Sequence, residues 1–192
     1  MKQIAVAFST TGDSPKEGHR FSEIVLVGQD GERIRFELLG EPASTQQVKF
    51  AEALKVMKTV ADDAQLVVLD VGKWRRFLRA ELRSIKRHGA NQLMNNVVGV
   101  SDWAHQRFPR QRKDVVAIAR RAGIEIPENI TGLELEAELL RRIASVMNEA
   151  VAASSVADTQ TAITVTQANP TSSTPCWAEQ VGTFWRRLTG KI

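Results

Sequence analysis

The sequence is poor in the residues that build covalent or metal frameworks. It has one cysteine, Cys176, which rules out an internal disulfide framework and a cysteine-rich zinc site. Its three histidines, His19, His88 and His105, lie far apart and show no metal-ligand spacing. No stretch approaches the roughly 18 apolar residues that a membrane span requires. The N-terminal "MKQIAVAFS" starts a strand directly, without the long apolar run and cleavage site of a signal peptide, so a cytoplasmic location is expected by default. Acidic residues are scarce in one region. Residues 73–121 hold thirteen Lys and Arg against three acids, Glu81, Asp102 and Asp114, whereas the whole chain carries only +4. Basic charge concentrated in this way favours a polyanionic partner, and nucleic acid is the expected one.

What is present reads as one α/β domain with an appendage. At 192 residues the chain is long enough to bury a substantial core. Apolar or alternating residues predict strands over 3–8, 23–28 and 32–38, with "GQDGE" supplying a hairpin turn between the last two. Near-helical spacing of Val48, Ala51, Leu54, Val56, Met57 and Val60 predicts a helix over 45–61. "AQLVVLD" (64–70) is a short continuous apolar run of the kind found in buried parallel strands. Residues 73–88 place Trp74, Phe77, Leu78, Leu82 and Ile85 on one helical stripe, with Arg and Lys on the other faces. A further strand is expected over 95–100 and helices over 112–122 and 132–150, the first stopped by Gly123 and Pro127. The domain is expected to occupy 1–150. Residues 151–175, rich in Ser and Thr and free of Lys and Arg, read as a flexible linker. Residues 176–192, "CWAEQVGTFWRRLTGKI", form a Trp-rich peptide. In helical form it would present Trp177, Val181, Phe184, Trp185 and Leu188 on one face for its own domain or a protein partner.

Four blocks, in order, resemble the DnaQ-like proofreading exonucleases (DEDDh, epsilon-subunit type) over residues 3–148. They are "TTGDSPKEGHRFSEI" (10–24), "LVVLDVGKWRRFLRAEL" (66–82), "RFPRQRKDVVAIARRAGI" (107–124) and "TGLELEAELL" (131–140). In the second block Phe77, Leu78, Glu81 and Leu82 fix the register. The resemblance implies a ribonuclease-H-like fold, a mixed five-stranded sheet with flanking helices. It also implies two-metal hydrolysis of a 3′-terminal phosphodiester, with carboxylates clamping Mg²⁺ or Mn²⁺ and a histidine serving the attacking water.

Position by position, the implied catalytic set is missing. The first strand's acids become Ala7 and Ser9, the second block's Asp becomes Trp74, and the final block's His and Asp become Thr131 and Glu136. The family's His-Gly-Ile turn has no counterpart in residues 39–52. Asp13, Asp70 and Glu136 are the only acids placed to form a displaced metal site. The expectation is a catalytically silent exonuclease-like module, without a cofactor, that binds nucleic acid (DNA foremost) or docks on a replication or repair protein. Lys73, Arg75, Arg76, Arg79, Arg83, Arg110, Arg112 and Lys113 are the candidate phosphate contacts. The alternatives are a divergent, active 3′–5′ exonuclease using Mg²⁺ or Mn²⁺, and a protein-interaction module whose basic face meets an acidic partner.

Overall fold

The computed structural model describes residues 2–38, 43–86, 90–109 and 114–166, with side chains described over 2–38, 49–86, 90–109 and 114–150. The chain divides into two units, Met1–Ala152 and Ala153–Ile192. The first unit holds a five-stranded mixed sheet in the order β3-β2-β1-β4-β5. Its strands are β1 (Lys2–Thr10), β2 (Phe21–Gly28), β3 (Arg33–Glu37), β4 (Ala64–Val68) and β5 (Val97–Gly99). The β1–β2 and β2–β3 pairs are antiparallel, while β1–β4 and β4–β5 are parallel. With its flanking helices this is the ribonuclease-H-like arrangement that the sequence implied.

The central strand shows why both faces are covered. "IAVAF" has no polar side to its pleat, so β1 must be buried on both sides. Ile4, Val6 and Phe8 point into a cluster with Ile24, Leu26, Leu66 and Val68, under helices α1 (Ala43–Val60), α2 (Val71–Ser84) and α3 (Asn91–Asn95). Ala5 and Ala7 point the opposite way, with Val25, Val27 and Val67, under α4 (Val100–Arg107), α5 (Val115–Arg121) and α6 (Gly132–Thr166). On this second face alanines meet alanines: Ala5 and Ala7 share a cluster with Ala137 and Ala144 of α6.

The predicted hairpin turn is present. Gly31 adopts a left-handed φ of +85°, and the Gly31 amide donates to the Gly28 carbonyl at 3.0 Å. Gly123 likewise takes φ +73° just past α5, where the sequence places a helix stop.

Two short helices, α3 and α4, flank β5 where only a strand was expected. Within the expected linker, residues 151–166 are helical as part of α6. "VAASSVADTQTA" is alanine-rich and has no Gly or Pro to stop a helix. The remainder of the linker and the peptide carrying Trp177, Val181, Phe184, Trp185 and Leu188 lie outside the described residues. No described helix is long and apolar enough to cross a membrane.

Candidate nucleic-acid interface

The family-matched catalytic positions lie on β1 (Ala7, Ser9), on α2 (Trp74), just before α6 (Thr131) and on α6 (Glu136). Ala7 is 3% exposed, closely packed against the α6 face. Ser9 points to the same side, and its hydroxyl lies 2.6 Å from that of Ser22 on the neighbouring strand. Ser9 faces Glu23 across the β1–β2 pair, and Glu23 is bound by Arg35 at 2.8 Å. Thr131 is exposed immediately before α6. Glu136, on α6, is half-buried. Its carboxyl is pushed above the usual range, first by burial and then by the nearby Asp114 carboxylate, with Lys73 acting in the opposite direction.

Helix α2 supplies the decisive side chain, although not the one expected. The resemblance placed Trp74 at the second metal-ligand position. Trp74 instead is fully buried against Phe8 and Phe21, and its indole N–H donates to the Leu93 carbonyl at 2.9 Å. The helix begins at Asp70, whose carboxylate accepts the Lys73 amide at 2.9 Å as an N-cap. That start fixes the helical phase so that Trp74 falls on the same stripe as Phe77, Leu78 and Leu82. The adjacent Lys73 falls off that stripe and is partly exposed. Its ammonium lies 3.5 Å from the fully exposed carboxylate of Asp13 and within electrostatic reach of Glu136.

This donor set does not fit a two-metal centre. Two divalent ions need several hard oxygen ligands on one phosphate. Here Ala7 and Trp74 offer no oxygen ligand, and the one matched carboxylate, Glu136, feels the Lys73 ammonium only electrostatically. The alternative trio is not brought together as a metal site: Asp70 is committed to its cap and Asp13 to Lys73. Among the described residues no group of three or more His, Cys, Asp or Glu could hold a metal ion.

The basic segment also separates into two kinds of cation. Arg75 turns inward, and its Nε donates to the Met94 carbonyl at 2.7 Å, tying α2 to α3. Lys73 is paired, as described. Arg76, Arg79 and Arg83 are exposed along the outer face of α2. With Lys16 and Pro15 of the 3-10 turn Pro15–Glu17, and with Asp13, Ser14 and Ala80, they line a groove of about 490 Å³. Arg110, Arg112 and Lys113 lie outside the described residues. Phe108, which could have stacked on a base, packs edge-on against Trp103 with centroids 5.7 Å apart.

Sequence reading did not single out what holds the turn beside this groove. Arg20, at the start of β2, forms a two-pronged pair with the buried Glu81 of α2, its Nε 3.0 Å from Oε1, and also donates to Ser84 at 3.0 Å. The His19 ring packs over Gly12 so closely that a Cβ there would lie 2.4 Å from it. Thr11 and Arg20 close the loop through reciprocal bonds of 2.9 Å.

No family model and no curated protein matches the chain. Solved structures do. The fold is similar to the nuclease domain of 3′hExo, a DEDDh family member, bound to rAMP, with a TM-score of 0.53 and 12% identity over 77% of this chain and 92% of that one. It is also similar to a full-length 3′-exonuclease, with a TM-score of 0.51 and 13% identity over 77% of this chain and 60% of that one. These likenesses establish an exonuclease-like fold.

Proposed function

We propose that this chain is a catalytically silent exonuclease-like module that binds nucleic acid, as an accessory to DNA replication or repair. The observation that carries the reading is the donor set: Ala7, Ser9, Trp74 and Thr131 offer no carboxylate, which leaves Glu136 as the one matched acid. A site of this kind has lost the charge needed to clamp two metal ions, while the adjacent groove keeps cations suited to phosphate. The fold neighbours support nucleic acid as the partner class, one of them being a nuclease domain bound to rAMP. The replication or repair setting rests on the resemblance to the proofreading subunit of a DNA polymerase.

The test is purified full-length protein incubated with single- and double-stranded DNA in Mg²⁺ or Mn²⁺, with binding measured in parallel. Binding without degradation is expected. Metal-dependent turnover abolished by Glu136→Ala would replace this reading with that of a divergent 3′–5′ exonuclease. The C-terminal peptide is proposed as a tethered protein-docking segment. Deleting residues 170–192 is then expected to abolish partner capture and to leave the melting temperature of the core nearly unchanged.

A further inference from the structure

Resting on the nucleic-acid reading above, we infer that the groove between the Pro15–Glu17 turn and α2 holds a run of backbone phosphates within a strand, with no strand terminus required. Most described basic side chains near it are already committed: Arg20 to Glu81, Lys73 to Asp13, and Arg75 to the Met94 carbonyl. Lys16, Arg76, Arg79 and Arg83 are different. Among the described residues none of these four side chains has a hydrogen-bond or ion-pair partner, yet all four line one groove. The single carboxylate in its wall, Asp13, is already paired with Lys73. Among the described lining residues, four cations stand against that one carboxylate.

Its shape and chemistry select the ligand. Arg76, Arg79 and Arg83 follow i, i+3, i+7 spacing, which places them on one stripe about 10 Å long. That exceeds the reach of a single phosphate and suits a chain of them. Guanidinium groups present paired donors that match phosphate oxygens. Pro15 and Ala80 give the groove a small apolar surface, and no aromatic ring lines it, so no base is stacked.

An acidic protein would need more than charge, since interfaces depend on buried apolar anchors. Among the described residues the only exposed large hydrophobic is Val56, on α1. Ala7 is packed against α6, Trp74 fills the core, and Lys73 is paired. The contacts are therefore with phosphate alone, independent of sequence and of divalent metal.

The experiment compares a labelled circular single-stranded oligonucleotide with linear forms of the same sequence ending in 3′-hydroxyl or 3′-phosphate. Binding to the full-length protein is measured in EDTA at several salt concentrations. The three affinities are expected to agree within about twofold. Arg76→Glu/Arg79→Glu/Arg83→Glu should weaken all three by more than tenfold and reduce the salt slope by roughly 0.7 for each lost contact. Lys16→Glu, on a different element, should weaken them in the same sense and keeps the test independent of α2 folding. Arg120→Glu/Arg121→Glu, an equal charge change per residue on α5, should have a much smaller effect. A strong preference for a free 3′-hydroxyl would overturn the inference and leave nucleic-acid binding standing. An Arg120/Arg121 effect as large, per residue, as that at the groove would overturn it as well. Binding of poly-glutamate more tightly than an oligonucleotide of equal charge would replace nucleic acid with an acidic protein. Absence of binding by every oligonucleotide at low salt would remove the underlying nucleic-acid reading.

Discussion

Lys73 Nζ lies 3.5 Å from Asp13 Oδ1, and the same ammonium acts on Glu136. The chain's own ammonium therefore opposes the upward shift of the one matched carboxylate. Restoring metal binding should require removing that ammonium. Ala7→Asp/Ser9→Glu is expected to bind Mn²⁺ no better than the native protein, whereas adding Lys73→Asp should produce measurable binding by titration calorimetry. Ala7→Asp also carries a stability cost without metal, because position 7 is buried against α6. Trp74→Asp, the change that the family register suggests, should instead remove the indole from the core. A loss of at least about 3–5 kcal/mol is expected, seen as a fall of ten degrees or more in melting temperature. Mn²⁺ binding gained by Trp74→Asp in a folded protein would overturn this assignment.

Arg75 and Arg76 are neighbours in sequence with opposite roles. Arg75→Ala leaves the Met94 carbonyl without its 2.7 Å partner, which should cost about 1–3 kcal/mol in urea unfolding and leave oligonucleotide affinity nearly unchanged. Arg76→Ala touches no internal partner, so stability should stay within roughly 0.5 kcal/mol while affinity falls. A pair of single mutants measured in both assays separates the two.

Much of the fold was legible because its hydrophobic patterning is simple. β1 is apolar on both faces, β2–β3 carries a turn with Gly31, and α2 shows an unbroken stripe from Trp74 to Leu82. The short helices α3 and α4 were not legible, since five and eight residues give too little periodicity to distinguish helix from loop. At position 74 the family register and the apolar stripe pointed to different roles, and the structure places Trp74 in the core. Whether Lys73 or Trp74 faces the core depends on a single residue of helical phase, and the Asp70 cap fixes that phase. Which cations are free was not legible either. Arg20 finds Glu81 across 61 residues, and local sequence does not encode such a pairing.

The Arg20–Glu81 pair should behave as a clamp between the sheet and α2. Glu81 is 3% exposed, and its carboxylate also takes up part of the bonding of Ser84 and the Phe21 amide. Glu81→Ala leaves a guanidinium without its partner in a partly buried position, which should destabilise the protein by about 3–5 kcal/mol. Because Arg20 closes the loop beside the Pro15–Glu17 turn, faster amide exchange in residues 11–19 is expected with it. Unchanged exchange in that loop would show that the clamp acts on α2 alone.

A second buried carboxylate ties the stability of the fold to pH. Glu138 accepts from Arg141 at 2.7 and 3.0 Å and from Arg142 at 2.8 Å, all within one stretch of α6. These bonds, the one from Arg141 foremost, hold its carboxyl at about 2, against an ordinary value of 4.5, despite the opposing effect of burial. The folded state therefore binds the Glu138 proton less readily than the unfolded chain. Its stabilisation is complete above the unfolded value and is lost as the pH falls from 4.5 toward 2. The corresponding free energy is on the order of 2–3 kcal/mol. The pair also anchors α6 to its surroundings, since Arg141 reaches the Gln29 carbonyl and Arg142 the Glu125 carbonyl. Glu138→Gln should lower stability at pH 7 and flatten the decline between pH 4.5 and 2. Urea midpoints measured at half-unit pH steps would show this as two curves converging at the acid end. Parallel curves would assign the acid sensitivity to other carboxylates and leave Glu138 with a packing role only.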